Sequence, residues 1–153
     1  MCRLHRDPRV MATLGGVISD EETRNRLGKW IRHWDEHGFG IWVFRDLSTY
    51  RFVGRAGLHK TEIEGVLETE LLYAVSAEFW RLGYATEMSR SILRLVARVR
   101  SQVDLACFTM TTNVASRRTM EKLGFRYERN FRHAGLPHVM YRLPRSELIR
   151  AYT

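Results

Sequence analysis

The sequence predicts a mixed α+β domain, a sheet with helices on its faces. Three observations predict it. Short apolar runs bounded by turn residues crowd the middle of the chain, as strands do. Stretches with helical spacing of apolar residues precede these runs and then fall between strands in the second half. No linker or internal repeat divides the 153 residues, so residues 1–153 are expected to share one core, at a length that can bury one.

Ser19-Asp20-Glu21-Glu22 has the S-x-x-E spacing of a capping box and opens a helix. Leu27, Trp30, Ile31 and Trp34 follow at helical spacing, and His37-Gly38 ends it. Gly40 to Arg45 and Arg51 to His59 read as strands, and the polar link Asp46-Leu47-Ser48-Thr49 makes them a hairpin. After a turn around Gly65, Glu70 to Val75 is the next strand. A long helix is expected from near Ala85, with Met88, Ile92, Leu95, Val96 and Val99 on one face. Asp104 to Thr109 reads as a strand, and Asn113 starts a helix over Val114 to Leu123 that Gly124 closes. Phe125 to Phe131 and Val139 to Leu143 form a closing antiparallel pair, and the tail after Pro144 is helical.

The formal charge of +8, from 25 Lys and Arg against 17 Asp and Glu, favours an anionic ligand without saying which. Arg117, Arg118, Arg126, Arg129, Arg132 and the Arg94-Arg98-Arg100 group could meet phosphates. No helix-turn-helix, zinc-finger or RNA-recognition signature accompanies them, so nucleic acid is not the expected partner. Cys2 and Cys107 form no C-x-x-C pair, and a free cysteine in an apolar segment is ordinarily inert core. His33 and His37 have a metal-binding spacing, but Trp34 stands where a zinc-protease motif needs glutamate. They are read as solvated helix residues, and no metal is expected. His133 and His138, beside Gly135 and Pro137, either touch a substrate or sit on a loop. No apolar run approaches the ~18 residues of a membrane span, and Met1 to Pro8 lacks a secretory apolar stretch. The expected location is cytoplasmic, without membrane contact.

Chemistry enters with Glu70-Leu71-Leu72-Tyr73-Ala74-Val75, followed by Phe79-Trp80-Arg81-Leu82-Gly83-Tyr84-Ala85-Thr86-Glu87. A strand leads through a Gly-x-Ala turn into an amphipathic helix, whose first turn offers unpaired N–H groups and a positive dipole end. Gly83 and Ala85 let a phosphate approach the backbone. Further on, Asn113-Val114-Ala115-Ser116 precedes Lys122-Leu123-Gly124-Phe125 at a strand-to-helix junction. Together these resemble the GNAT superfamily of acyl-CoA N-acyltransferases, in the branch that includes the ribosomal-protein N-terminal acetyltransferases. That branch shows E-x-G-Y, then W-G-x-G-Y-A-T-E, then N-x-x-S, then K-x-G-F. Leu136 to Leu143 resembles its last strand, and the likeness covers roughly residues 8 to 149.

The resemblance implies a GNAT-type, mainly antiparallel sheet flanked by helices, and an acetyl-CoA-dependent N-acetyltransferase. The substrates would be acetyl-CoA and an amine acceptor, either a protein N-terminus or a small molecule. Backbone amides of Leu82, Gly83, Tyr84, Ala85 and Thr86 would hold the CoA pyrophosphate, and strand groups near Ala74 and Val75 would pair with pantetheine. Asn113 would position that arm or a water, besides capping its helix. Glu70 would be the base, acting through water, and Ser116 would protonate the leaving thiolate or orient the thioester. Alternatives remain for Glu70 as a solvent-facing strand residue and for Ser116 as an ordinary helix residue.

Four departures stand out. Arg81 replaces the first glycine of W-G-x-G, Leu72 the glycine before Tyr73, and Met120 a tyrosine acid found in many superfamily members. The usual opening strand is missing, and the chain starts in the first helical region, near His5 to Leu14. The exposed edge of the Gly40–Arg45 strand then suggests a homodimer. A GNAT-like protein that binds CoA without transfer, or a basic nucleic-acid module, is the alternative reading.

Overall fold

The computed structural model describes residues 1–99 and 103–153, so Arg100 lies outside the described residues. Two short helices, α1 (Cys2–Arg6) and α2 (Pro8–Met11), precede the long α3 (Asp20–His37). Strands β1 (Ile41–Arg45), β2 (Phe52–Ile63) and β3 (Val66–Val75) follow, then helix α4 (Tyr84–Arg98) and strand β4 (Leu105–Met110). Helix α5 (Val114–Lys122), strands β5 (Arg126–His133) and β6 (Leu136–Leu143), and helix α6 (Arg145–Tyr152) complete the chain.

Local chemistry accounts for most of these boundaries. The capping box of α3 is present in both directions: the Glu22 N–H donates to the Ser19 hydroxyl at 3.1 Å and the Ser19 N–H to the Glu22 carboxylate at 2.8 Å. Gly124, at φ +89, ends α5 by letting Phe125 N–H reach back to the Met120 carbonyl at 3.0 Å. Strands β2 and β3 run further than expected and close on the two-residue turn Glu64-Gly65, both at positive φ. Strands β5 and β6 close on Ala134-Gly135 in the same way.

The six strands form one sheet in the order β1-β2-β3-β4-β6-β5. All neighbours are antiparallel except β3 and β4, which run parallel and are bridged at one pair, Glu70 and Ala106. Helices α4, α5 and α6 cover one face, where Leu71, Ile92, Leu93, Leu105, Met120, Leu123, Tyr141 and Leu148 make the main core. On the opposite face Leu4, Val10 and Met11 of the N-terminal helices pack on Ala74. Each fully buried Leu or Met contributes about 1.5–3 kcal/mol. The apolar stripes differ in detail from the expected ones. Ile31, Leu95 and Val99 are exposed, while Ser89, Leu93 and Ala97 are buried in α4.

A second fastening crosses the weak parallel seam. Arg142 of β6 reaches over β4 to Glu68 of β3 with two hydrogen bonds, of 2.9 and 2.7 Å, and also pairs with Glu128 of β5. At the hairpin tip Glu64 pairs with Arg129. These ions tie the two halves of the sheet at the amino end of β3, leaving the other end free to part. Among the described residues no strand lies outside β1, whose Trp42 and Val43 are exposed.

Candidate active site

Beyond the Glu70–Ala106 bridge β3 and β4 have no further pairing, and a cleft opens toward their carboxyl ends. Each strand leads into a helix, so the N-termini of α4 and α5 open at the same end of the sheet, where parallel strands ordinarily bind ligands. Strand alternation selects which peptide groups face the cleft. Ser76 N–H donates to the Val53 carbonyl at 2.9 Å, so two-residue alternation turns the groups of Ala74 and Leu72 toward β2. Those of Tyr73 and Val75 turn to the cleft, so of the expected pair the groups of Val75 face it and those of Ala74 face β2. The Val75 carbonyl already accepts the Trp80 indole N–H at 2.9 Å, which holds the turn against β3.

The two helix starts differ. Gly83, at φ +86, is the cap residue of α4 and supplies no side-chain cap, so the amides of its first turn have no intrahelical acceptor. A Cβ at Gly83 would meet no protein atom within 4 Å, so the space above the turn is open. Arg81 is exposed and adopts φ +64, the conformation that explains why the related pattern has glycine there. The Tyr84 phenol donates to Asp46 at 2.8 Å, fixing the β1–β2 loop beside the helix start. Helix α5, in contrast, is capped by Asn113, whose Oδ1 accepts the Ser116 N–H at 3.1 Å. Its Nδ2 donates to Thr109 and Thr13, both at 3.0 Å, drawing the N-terminal segment over the cleft. Ser116 lies one turn in.

Tyr73 spans the cleft. Its phenol bonds the Ser116 carbonyl at 3.1 Å and the Ser116 hydroxyl at 2.9 Å. Burial drives the phenol far above its usual range, so it stays protonated. Met120 is 1% exposed core, and the Tyr73 phenol has the hydroxyls of Ser116 and Thr119 beside it. In the sequence Tyr73 is one letter of a motif; its hydrogen bond to Ser116 arises across 43 residues.

Glu70 stands at the apex of the cleft, on the sheet face that carries the N-terminal helices. It is partly buried, and its carboxyl has no hydrogen bond among the described residues. Burial pushes its carboxyl up to about 8, against the pull of Arg55. A carboxyl near 8 alternates readily between acid and base at neutral pH. The nearby Cys107 is buried, and burial raises its thiol well above the ordinary value, so it is no nucleophile.

The histidines differ in setting. His33 is buried, not solvated: its Nδ1–H donates to the Phe39 carbonyl at 2.8 Å and its Nε2 accepts the Lys60 N–H at 2.9 Å. Both ring nitrogens are thereby occupied in joining α3 to the sheet. His133 and His138 sit at the ends of β5 and β6 against Phe108 and Phe131. Among the described residues no group of three or more His, Cys, Asp or Glu could hold a metal. A hollow of about 360 Å³ lined by Glu121, Leu123, Phe125 and Glu147 lies between α5 and α6, away from Glu70.

Residues 1–126 match the family model described as an acetyltransferase (GNAT) domain. The YkkB protein of Bacillus subtilis (strain 168) is 29% identical over 138 residues, covering 90% of this chain and 80% of that protein. A GNAT-family acetyltransferase from Bacillus anthracis superposes with a TM-score of 0.78 at 22% identity, over 96% of this chain and 88% of that one. The ribosomal-protein-S5-alanine acetyltransferase of Vibrio fischeri gives 0.68 at 13% identity, over 84% and 73%.

Proposed function

The chain belongs to the GNAT acetyltransferase family, and from that premise we propose that it moves the acetyl group of acetyl-CoA onto a primary amine by direct attack. One observation carries the reading: the uncapped first turn of α4 opens at the mouth of a cleft whose apex holds a carboxyl at about 8. The amides of Leu82 to Thr86 would take the pyrophosphate, and the cleft-facing groups of Tyr73 and Val75 would pair with pantetheine as an added strand. Acetyl-CoA supplies an activated thioester carbonyl; the protein's task is to deliver a neutral amine to it and to return a proton to the sulfur.

Glu70 receives the amine's proton, directly or through one water, as the nitrogen–carbon bond forms. The carbon–sulfur bond breaks, Ser116, held by Tyr73, gives a proton to the departing thiolate, and the proton taken by Glu70 is passed back through solvent to restore the Ser116 hydroxyl. An α-amine of pKa about 7.7–8.0 asks less of Glu70 than a lysine at about 10.4, and the likeness to the ribosomal-protein branch favours an α-amine. Asn113 holds α5 and Thr13 in place around the site.

Melting with and without acetyl-CoA tests the site, with ATP and NADP as anionic controls. At ~100 times the dissociation constant, acetyl-CoA is expected to stabilise the fold by about 2.7 kcal/mol. Equal shifts with all three would reduce the site to charge attraction. We further propose that a second copy covers the open edge of β1, where Trp42 and Val43 are exposed. Light scattering is expected to return twice the 18.0 kDa chain mass; a monomer mass at every concentration would end that idea.

A further inference from the structure

Acetyl transfer as described leaves one buried charge without work. Arg55, in the middle of β2, is 6% exposed, and its guanidinium carbon lies 4.7 Å from the centre of the Trp30 ring. Among the described residues its guanidinium has no hydrogen bond and no ion pair, and its Nε is sealed from solvent without a partner. Stacking on an indole offsets part of the cost of burying a cation. It satisfies none of the five N–H donors, which point outward in the plane of the group. A guanidinium left so is destabilising unless an anion completes it.

The surroundings point to where that anion would sit. His5 is wholly buried, its ring edge-on to Trp30, with Nδ1 held by the Thr23 hydroxyl at 3.0 Å and Nε2 unpaired. Burial first, then the charge of Arg55, lowers its pKa to about 4, so His5 is neutral and its Nε2 offers one more hydrogen bond. Along the same sheet face, alternation places residues 55, 57 and 59 opposite 74, 72 and 70. Gly57, between Arg55 and His59, contributes no side chain. Glu70 is close enough for Arg55 to draw down its pKa, yet the two make no ion pair. A cation and a carboxyl thus share one sheet face, with Gly57 and Leu72 between their positions and no ion pair joining them.

We propose that Arg55 and Glu70 bracket a small zwitterionic acceptor, its amine toward Glu70 and a carboxylate or phosphate a few bonds away on the Arg55 guanidinium. This rests on the acetyl-transfer reading of the same cleft and narrows its substrate class. A polyamine brings a second cation toward Arg55 and Arg26, where like charges repel. A bidentate carboxylate or phosphate on Arg55 supplies the missing charge and fixes the amine's approach.

The test is CoA release by the full chain with matched amines: α-amino acids, their carboxamides, phosphoethanolamine, ethanolamine and spermidine. Rates are compared after correction for the free-amine fraction. The anion-bearing member of each pair is expected to have a kcat/KM at least about tenfold higher, the discrimination of one charge-assisted hydrogen bond. A preference for amino acids or for phosphoethanolamine separates carboxylate from phosphate. Arg55→Gln is expected to bring the ratio near one through a raised KM for the anionic amine. Arg55→Lys, which keeps the charge and loses the fork, should retain part of the preference. Turnover indifferent to the anion, or favouring spermidine, overturns the proposal and leaves acetyl transfer standing. Stabilisation by acetyl-CoA without turnover of any anion-bearing amine also overturns it. Absence of both stabilisation and turnover overturns the acetyl-transfer reading itself.

Discussion

Replacing Glu70 by glutamine is expected to slow acetyl transfer by about 10²–10⁴-fold while making the fold more resistant to heat at pH 8. The two effects share a cause. Burial lifts the Glu70 carboxyl from an ordinary 4.5 to about 8 in the fold. Below about pH 4.5 the group is protonated in both states, and its contribution to stability is fully present. Between about 4.5 and 8 the unfolded chain releases the proton while the fold retains it, so stability declines as pH rises and levels off above 8. Glutamine cannot ionise and should remove that decline. Melting temperatures from pH 4 to 9, beside initial rates of CoA release, read both arms. Parallel stability curves for the two proteins would reject the raised pKa, and an unchanged kcat would reject the base. In the wild type, kcat/KM should climb with pH toward about 8 as the free base forms.

Arg142→Met is expected to cost about 2–3 kcal/mol, below the 3–5 kcal/mol of a fully buried pair because Arg142 keeps a quarter of its side-chain exposure. The variant strands Glu68, which is 8% exposed, and leaves Glu128 with the longer 3.7 Å contact to Arg129. The pH signature is opposite to that of Glu70. Hydrogen bonding to Arg142 holds the Glu68 carboxyl below its ordinary range. The pair's stability is therefore present above the unfolded value of about 4.5 and lost as pH falls through the depressed one. Urea unfolding at pH 7 and pH 3 measures it: the gap between wild type and variant should shrink at pH 3. An equal gap at both would mean that Arg142 acts by packing alone. Since the pair lies across the seam between β3 and β4, the variant should also weaken stabilisation by acetyl-CoA, whose cleft depends on that seam closing at one end.

The fold was readable where local chemistry decides it. The capping box at Ser19, the glycine stop at 124 and the Gly-x-Ala turn before α4 each announce themselves within a few residues. The hairpin arms were harder: Lys60 to Thr69 joins exposed Val66 and Leu67 to buried Glu68 and Thr69, which hides the alternation that marks a half-buried strand. Among the candidate site residues, Gly83 and Asn113 were legible as helix starts, because a helix start constrains its own sequence. Tyr73 was visible as a letter of a motif and invisible as the partner of Ser116. Arg55 gave no signal, since an arginine on a strand reads as a solvated one.

The sequence by itself determined the elements, their order and the loop chemistry that opens α4, because caps and turns are contests between neighbouring residues. It also determined the family, through two motifs in order. Tertiary structure alone decided which peptide groups of β3 face the cleft, that burial raises the Glu70 carboxyl, and that Arg55 is buried without an ion pair among the described residues. Those properties depend on alternation, burial and charge contributed by segments remote in sequence. Strand pairing set one end of the β3–β4 seam, the Arg142 network reinforced it, and the other end was left open where the two helix starts converge.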